Sequence, residues 1–460
     1  MAARSRRAGV GAAMAALALM IAAASLPEAL RRADSPQLNV VVIVTDDQPA
    51  SSIPAPVPVM PLLQRAALDP SGHWVVFTRA FANTPLCCPS RATMLTGRYA
   101  HHTGVLTNAD GARLDETRTL ATWLDDAGYE TALVGKYLNG YPFGRGPYVP
   151  PGWDRWWGKR QGTAASIYHD FTLIEDGTAV GYGPRAYSTD AFAAEAVAFL
   201  REVPLDRPFL LWFAPTAPHP PAEPAPRHAG RFAGLAVPES PAVGEPDVSD
   251  KPAWVRALPP LDAERREDLR EAWRRTAETL LAVDEAVRAI VETLRERGEL
   301  EETVIVFTSD NGLAFGEHRW DRKSCPYEAC TRVPLLVRVP GVAHRVVPAP
   351  VSLVDLAPTL LDLAGVRAPA PLDGASLAPL LGGAGRGPGP VYLEFAGDDR
   401  VPAWGAVRTR RWLYVELATG ERELYDLRRD PAELENLATD PARAAIVATM
   451  ADELARVRGG

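Results

Sequence analysis

Cysteine is scarce in this chain. Its 460 residues include four cysteines, Cys87, Cys88, Cys325 and Cys330, which is too few for a fold held together by disulfides. Cys325 and Cys330 are near enough in sequence to form a local disulfide in an oxidising compartment, provided that their Cα atoms lie within about 7 Å. Two free buried thiols would suit the same pair, so the sequence leaves their redox state open.

Long blocks of one charge sign are also missing. The formal net charge of -8 is spread along the chain, and no stretch rich in Lys and Arg is interleaved with aromatic residues, as nucleic-acid-binding surfaces require. Internal repeats are absent too. The chain is therefore not expected to bind nucleic acid, and a prior of about 150 residues per domain favours two unequal domains. No oligomeric state is predicted.

Only one long apolar run of small residues occurs, and it lies at the N-terminus. Residues 8–26 follow Arg4, Arg6 and Arg7, which is typical of a secretory signal. The run is near the lower length limit for a membrane-spanning helix, so an uncleaved anchor stays an alternative. Ser5-Arg6-Arg7 is a partial twin-arginine pattern. Residues 1–34 are therefore predicted to be a signal peptide or N-terminal anchor, and the protein to be secreted, periplasmic or held at the cell surface.

Three continuous apolar runs end in polar residues. Residues 38–44, 208–213 and 303–308 are rich in β-branched or aromatic side chains, as expected of buried parallel strands. The polar residues that follow them would meet at one edge of a sheet, where open α/β sheets bind ligands. Helical stretches lie between the runs, the longest at residues 262–297. This alternation predicts an α/β fold with a large, mostly parallel sheet sandwiched by helices.

The remaining segments suggest how the chain is divided. Residues 35–370 are predicted to form the large domain, and the Ala/Pro/Gly-rich residues 371–390 a linker. Residues 391–460 contain short β-like runs, at 391–395, 404–416 and 421–427, and a final helix near 442–456, which predicts a small α+β subdomain with antiparallel strands. Two long irregular segments, 137–168 and 218–260, are expected to be walls or lids of the substrate cleft.

Four polar residues at predicted strand ends suggest a metal site. Asp46 and Asp47 follow the first strand, and Asp310 and Asn311 follow a later one. Such an all-oxygen set suits Ca²⁺ or Mg²⁺ better than zinc. Each pair alone would also suit a helix cap or a turn. No HExxH or CxxC motif is present as a rival metal site.

The run Cys87-Cys88-Pro89-Ser90-Arg91 decides between these interpretations, because it resembles the signature of type I sulfatases in the alkaline-phosphatase superfamily. A buried cysteine pair before a helix would explain those five residues alone. The resemblance, however, extends over nearly the whole chain after the signal. Its motifs are Thr45-Asp46-Asp47, Cys87 to Gly97, Gly128 to Lys136, Ser309-Asp310-Asn311-Gly312, Lys323 with Tyr327-Glu328, and Leu424-Tyr425-Asp426-Leu427 with Asp430-Pro431 and Asn436-Leu437.

The resemblance implies a modified nucleophile. In that family the first cysteine of the signature is oxidised to formylglycine by a maturation enzyme, and the hydrated aldehyde offers one hydroxyl to attack sulfur and a second to expel the product. Here that residue is Cys87. The implied metal shell is Asp46, Asp47, Asp310, Asn311 and the modified Cys87, with Ca²⁺ as the expected ion and Mg²⁺ as the alternative.

The resemblance also implies the groups that surround the sulfate. Arg91, Lys136, His219 and Lys323 are expected to bind it or to stabilise the transition state, with His219 or Lys323 protonating the leaving alcohol. His318 is a further candidate for substrate contact, although a solvated loop histidine would explain it as well. Many sulfatases carry a histidine two places after the lysine, where this chain has Leu138, so that role is unfilled or passes to Asn139 or another group.

The implied activity is hydrolysis of a sulfate ester. The motifs most resemble the branch of N-acetylglucosamine-6-sulfatases and extracellular heparan sulfatases, so the expected substrate is a sulfated sugar or glycosaminoglycan. Two alternatives stay open. One is a phosphonate or phosphate ester hydrolase of the same superfamily, and the other is a non-catalytic protein that binds sulfated ligands with Cys87 unmodified.

Overall fold

The computed structural model describes residues 37–54, 57–369 and 371–459. The predicted signal or anchor at residues 1–34 lies outside them. The strands are β1 (Asn39–Thr45), β2 (Trp74–Phe81), β3 (Glu130–Gly135), β4 (Arg155–Lys159), β5 (Phe171–Glu175), β6 (Thr178–Tyr182), β7 (Phe209–Ala214), β8 (Thr303–Ser309), β9 (Arg332–Arg338), β10 (Arg345–Val347), β11 (Val351–Ser352), β12 (Val391–Phe395), β13 (Trp404–Arg408), β14 (Trp412–Leu417) and β15 (Arg422–Asp426).

The helices alternate with these strands over much of the chain. They are α1 (Pro61–Leu68), α2 (Cys87–Thr96), α3 (Ala100–Thr103), α4 (Leu120–Asp125), α5 (Ser188–Glu202), α6 (Ala253–Arg256), α7 (Ala263–Glu296), α8 (Glu328–Thr331), α9 (Leu356–Leu363), α10 (Ala378–Leu381) and α11 (Ala444–Arg458). No helix within the described ranges is long and apolar enough to cross a membrane.

Strand β1 lies at the centre of the large sheet. All of its residues are buried, and it pairs in parallel with β7 on one side and β8 on the other. Val40 and Val42 belong to one hydrophobic core, whereas Val41 and Ile43 belong to the other. A strand that is covered on both faces needs apolar side chains at every position, which explains the unbroken apolar run in the sequence.

The sheet has the order β10-β2-β9-β8-β1-β7-β3-β4-β5-β6, and β11 pairs with β2. Six of its ten strand pairings are parallel. Helices α2, α4 and α9 contribute to the core on one face, and α1, α5 and α7 to the core on the other. The predicted fold class, a large mostly parallel sheet between helices, is confirmed.

The C-terminal residues form a second, antiparallel sheet with the order β12-β13-β14-β15. One face packs on the large domain, where Leu393 and Val415 contribute to the same core as Tyr327. The other face is covered by α11, whose Val447 and Leu454 share a core with residues of the sheet. The predicted small subdomain with antiparallel strands and one helix is thus confirmed as an architecture.

Two details of the chain's organisation differ from the simplest interpretation of the sequence. Residues 404–416 form two strands rather than one, because a turn intervenes in which Thr409 N donates to Trp412 O at 2.8 Å. The segment 371–390 contains α10, whose Leu381 is buried in the same core as β1. A domain boundary within that segment stays a prediction.

Candidate active site

The parallel strands β8, β1, β7 and β3 end at one edge of the large sheet. Backbone hydrogen bonds continue beyond the last paired residues. Asp310 N donates to Thr45 O at 3.1 Å, and Lys136 N donates to Ala214 O at 2.8 Å. These bonds hold the residues that follow each strand close together, so chemistry-bearing side chains from distant parts of the sequence meet at this edge.

Helix α2 brings Cys87 to the same place. Cys87 is the first residue of the helix, and every residue of the helix is buried. Its Sγ atom lies 2.9 Å from Lys323 Nζ, 3.4 Å from Asp46 Oδ1 and 3.7 Å from Asp47 Oδ1. The positive end of the helix dipole therefore faces a cluster of carboxylates.

Asp47 has an unusual backbone conformation. Its φ of 62° lies in the left-handed region, which aspartate tolerates better than most residues do. In this conformation its N–H donates to Asp310 Oδ1 at 3.0 Å. Its carboxylate accepts hydrogen bonds from Lys323 Nζ at 2.8 and 2.9 Å and from Asn311 Nδ2 at 2.7 Å. His219 Nε2 lies 3.6 Å from Asp47 Oδ2.

Two further ion pairs complete the cluster. Lys136 Nζ lies 2.6 Å from Asp46 Oδ2, and Arg91 Nε lies 2.8 Å from Asp310 Oδ2. Arg91 also donates from Nη1 to the Lys136 carbonyl at 2.9 Å. Its Nη2 is buried without a hydrogen-bond partner in the described part of the chain. An unsatisfied donor of this kind is costly unless a ligand or solvent supplies the acceptor.

The electrostatics of the cluster depend on pairing. Burial alone would raise the pKa of Asp46, but Lys136 and the other cations around it outweigh that effect and lower the pKa. Asp47 behaves in the same way, with Lys323 as its main partner. Burial and the negative charge of Asp46 raise the pKa of Asp310, and Arg91 offsets this only in part. Burial, followed by Asp46, raises the pKa of the Cys87 thiol.

The donor set fits a hard divalent cation. Ligand atoms of Asp46, Asp47, Cys87 and His219 all lie within 4.8 Å of one another. Asn311 Oδ1 is buried and has no hydrogen-bond partner among the described residues, so it is free to be a ligand. Asp310 has both oxygens in hydrogen bonds, but a carboxylate oxygen keeps a further lone pair. Oxygen atoms dominate this set, which favours Ca²⁺ or Mg²⁺ over softer metals.

The loop that carries Lys323 is fixed by several contacts. Cys325 and Cys330 form a disulfide, with their Cα atoms 5.6 Å apart. Trp320 Nε1 donates to Lys323 O at 2.9 Å, and Ser324 N donates to Pro85 O at 3.2 Å. The sequence did not decide whether this pair is oxidised. The structure contains the disulfide, which lies two residues from Lys323 of the cluster.

Two cavities meet at this cluster. The larger, of about 660 Å³, is bordered by Asp47, His219 and Lys323, and the smaller, of about 280 Å³, by Asp46, Lys136 and His219. The predicted loop 137–168 supplies most of the wall of the smaller cavity. From the loop 218–260 only His219 and Pro220 line either of these two cavities.

Nine of the ten residues proposed from the sequence converge here. They are Asp46, Asp47, Cys87, Arg91, Lys136, His219, Asp310, Asn311 and Lys323. His318 is the exception and is corrected. Its ring is 1% exposed, its Nδ1 lies 2.7 Å from Glu245 Oε2, and it packs against Tyr327. Internal partners therefore occupy the imidazole that was expected to contact substrate.

The sequence did not point to several lining residues. Lys159 and Arg160 border the smaller cavity, beside Leu138 and Asn139. The larger cavity is lined by Arg265 and Asp268 of α7 and by Asp398, Asp399 and Arg400 of the C-terminal subdomain. Lys159 ends a short aromatic strand, β4, whose five residues do not form a continuous apolar run like those of the longer buried strands. The three subdomain residues carry no such signal either.

Known families match this chain almost end to end. The model of the family named Sulfatase matches residues 38–366, and the model named N-sulphoglucosamine sulphohydrolase, C-terminal, matches residues 316–459. The chain belongs to the sulfatase family of hydrolases. It is 36% identical over 357 residues to an extracellular sulfatase SULF-1 homolog of Drosophila melanogaster, in an alignment that covers 75% of this chain but 31% of the fly protein.

Two other relatives are covered by this chain over more of their length. The sulfatase chain is 33% identical over 383 residues to the N-acetylglucosamine-6-sulfatase of Homo sapiens, with 79% of this chain and 68% of the human protein covered. A structure solved in complex with its substrate D-glucosamine-2-N,6-O-disulfate superposes with a TM-score of 0.82 at 26% identity, covering 92% of this chain and 98% of the other.

Proposed function

We propose that this sulfatase-family protein hydrolyses sulfate esters of sugars, with a nucleophile made from Cys87 and a divalent cation held beside it. The observation that carries the proposal is the surroundings of the Cys87 side chain. Its Sγ lies within 3.7 Å of Lys323, Asp46 and Asp47, so an oxygen attached at that position would be next to both the metal ligands and a cation.

Two groups would supply the chemistry that the coded side chains lack. Formylglycine at position 87 supplies, as its hydrate, one hydroxyl for attack on sulfur and a second for the later release of sulfate. A cation held by Asp46, Asp47, Asp310 and Asn311 supplies Lewis acidity at the sulfate oxygens. Ca²⁺ is the proposed ion, with Mg²⁺ as the alternative.

The chain's own residues bind and orient the sulfate. Lys136 pairs with Asp46 at 2.6 Å, and Lys323 pairs with Asp47 at 2.8 Å. Arg91, Lys136 and Lys323 balance three carboxylates, so a divalent cation would leave the site with a net positive charge that attracts an anionic ester. Charge-assisted donors of this kind stabilise the charge that develops on the transferring group.

His219 is the proposed proton donor to the leaving alcohol. It borders both cavities, and its side chain is 30% exposed, the largest fraction among the seven converging side chains that form ion pairs. Its Nδ1 lies 2.6 Å from the Pro220 carbonyl. A carbonyl oxygen only accepts, so Nδ1 carries a proton. The proton given to the leaving alcohol is therefore a second one, on Nε2, which lies 3.6 Å from Asp47 Oδ2 at the reaction centre.

Maturation requires a second protein. Cys87 is fully buried, so a formylglycine-generating enzyme has to reach the thiol before the fold closes around it. The proposed order is oxidation of Cys87 in the unfolded chain, folding, and metal binding. The disulfide between Cys325 and Cys330 and the extracellular relative support export to an oxidising compartment.

The proposed substrate is a sulfated sugar of the glycosaminoglycan type. The two cavities that meet at the cluster, of about 660 and 280 Å³, together have room for a sugar ring and its substituents, and the larger one carries polar side chains such as Asp399 and Arg400. Sulfated sugars are also what the names of the human and structural relatives indicate for those proteins.

Rates on matched esters test the reaction type. The matured protein is expected to release sulfate from N-acetylglucosamine-6-sulfate with a kcat/KM well above its kcat/KM for N-acetylglucosamine-6-phosphate and for a phosphonate monoester. A clear preference for the phosphorus esters would contradict the proposal and favour a phosphonate or phosphate ester hydrolase.

A further inference from the structure

Lys159 lies next to the proposed sulfate site but is not part of it. Strands β3 and β4 pair in parallel with Gly135 opposite Gly158, so Lys136 and Lys159 follow directly after paired residues. Backbones of neighbouring strands are about 4.8 Å apart. The two lysines therefore leave the sheet side by side, and both line the smaller cavity.

The two lysines differ in their partners. Lys136 forms an ion pair with Asp46 at 2.6 Å. For Lys159 Nζ, no hydrogen bond and no carboxylate within 4.0 Å is found among residues 37–54, 57–369 and 371–459. Burial and the neighbouring charge of Lys136 lower the pKa of Lys159 to about 8. An ammonium group in this position is destabilised, and an anion from outside the chain would relieve that cost.

The wall around Lys159 is positively charged. Arg160 is exposed beside it and also has no ion pair within the described part of the protein. Of the described residues that line this cavity, Asp46 is the one carboxylate, and Lys136 already pairs with it. The larger cavity is different, since its Arg265 pairs with Asp321 at 2.9 Å and Asp268, Asp398 and Asp399 lie on the same wall.

We infer that Lys159, with Arg160 beside it, binds a second anionic group of the substrate, a sulfate or a carboxylate that is not the one cleaved. This inference rests on the proposed function, because the cleaved sulfate is taken to bind at Cys87, Lys136 and His219. The smaller cavity opens from that point, so a second anion on the same sugar or on the next one reaches Lys159. Lys159 is thus a specificity-determining residue for multiply charged sugars.

Binding to Cys87→Ala protein tests the inference without turnover. This variant cannot be converted to formylglycine, so affinity is measured independently of maturation. By calorimetry with Ca²⁺ present, D-glucosamine-2-N,6-O-disulfate is expected to bind at least about tenfold more tightly than N-acetylglucosamine-6-sulfate, because a charge-assisted hydrogen bond contributes roughly that factor. Adding Lys159→Gln should remove most of this difference, and Lys159→Arg should keep it.

A matched control separates a local contact from a general effect of charge. Arg185 is exposed and lines neither cavity, so Arg185→Gln removes the same charge and should keep the tenfold preference. A disaccharide that links a uronic acid to N-acetylglucosamine-6-sulfate identifies the source of the anion. A preference that depends on Lys159 and appears only with this disaccharide assigns the subsite to a carboxylate rather than to an N-sulfate.

Three outcomes would overturn the inference. They are equal affinity for all three sugars in the parent, an equal loss for every sugar in Lys159→Gln, and the same loss of preference in Arg185→Gln. Failure of the proposed function has a different signature. Matured protein would then release no sulfate from any of the sugars, whatever preference the binding experiment gives. Release of sulfate with a charge preference that Lys159→Gln leaves unchanged would overturn this inference alone.

Discussion

Two clusters of buried charge lie within this molecule, and they differ in what surrounds them. We name the nine converging residues, Cys87 among them, the catalytic cluster after the role proposed for them. The interface cluster consists of Glu245, Lys251, His318, Glu423 and Glu433, all of them at most 5% exposed, between the large domain and the C-terminal subdomain. Lys251 Nζ donates to the carbonyls of Glu433 and Leu434 at 2.6 and 2.8 Å, and none of the five lines either cavity beside Cys87.

The difference shows that buried charge alone does not identify an active site. Each cluster contains acidic side chains, at least one lysine and a histidine. The catalytic cluster also borders two cavities and follows the ends of parallel strands, and the buried Asn311 Oδ1 and Arg91 Nη2 there have no partner in the described ranges. In the interface cluster, Glu423 Oε2 is also buried without a partner in the described ranges. Lys251 Nζ, His318 Nδ1 and Glu423 Oε1, however, have hydrogen-bond partners within the protein. Because the interface cluster also borders neither of these cavities, its role is structural.

The largest expected effect comes from Cys87. Replacing it with alanine removes the precursor of the nucleophile, so sulfate release should fall by roughly 10³-fold or more. The matched control is Cys88→Ala, which makes the same chemical change in the next, equally buried residue. Steady-state rates and thermal melts of both variants check this. Similar melting temperatures with a loss of rate confined to Cys87→Ala fit the account, and full activity of Cys87→Ala would contradict it.

Metal removal should have the next largest effect. Chelation is expected to abolish turnover of the matured protein, and Ca²⁺ should restore it. Because a ligand that binds only the folded state stabilises it, saturating Ca²⁺ should also raise the melting temperature, by an amount that corresponds to about 3 kcal/mol at 100-fold excess over Kd. Calorimetric melts with and without Ca²⁺ provide the readout. A melting temperature that does not respond to Ca²⁺ or Mg²⁺ would contradict the proposal that this site binds a divalent cation.

A pair of buried lysines tests the comparison directly. Lys323→Met removes a donor beside Cys87, so kcat/KM should fall by about 10²-fold. Lys251→Met leaves acids of the interface cluster without their cation, so the free energy of unfolding should fall by about 3 kcal/mol, with little change in kcat/KM of the folded protein. Denaturant titrations and kinetics are measured on both. If Lys251→Met lowers kcat/KM as much as Lys323→Met does, the two clusters do not have separate roles.

The smallest effect concerns pH. Burial raises the pKa of Glu423 to about 7 from an ordinary value of 4.5, so the folded protein binds more protons than the unfolded chain between these values. Stability therefore decreases as pH rises through that window, and Glu423 contributes about 1–3 kcal/mol to the decrease. Glu423→Gln should make the stability curve flatter between pH 5 and 8. An unchanged slope would show that Glu423 ionises normally.

The sequence predicted that the residues of the catalytic cluster converge because strands β1, β7 and β8 leave a local signal, whereas Arg91, Lys136 and Lys323 were indicated by the resemblance to sulfatases. A fully buried parallel strand has to be apolar throughout, so residues 38–44 and 303–308 could be recognised, together with the aspartates after them. Lys159 was missed because β4 is short and aromatic and lies within a segment that resembles an irregular loop. Its importance depends on the register of β3 and β4, which only the fold determines.

The incorrect expectation about His318 has a similar origin. Its partner Glu245 lies 73 residues earlier in the chain. No residue near His318 in the sequence therefore indicates that the imidazole already has a hydrogen-bond partner. The hairpin of β13 and β14 was missed because the apolar residues on both sides of its short turn resemble one continuous strand. In each case the decisive contact is a tertiary or cross-strand one that local pattern does not encode.

The mass of the peptide that contains Cys87 tests the central claim most directly. Protein made in a host with a competent maturation enzyme is expected to show this peptide about 18 Da lighter than the encoded cysteine form, a conversion outside the usual cysteine oxidation ladder. The converted fraction should rise in proportion to the rate of sulfate release across preparations. Active protein in which Cys87 is wholly unmodified would contradict the account.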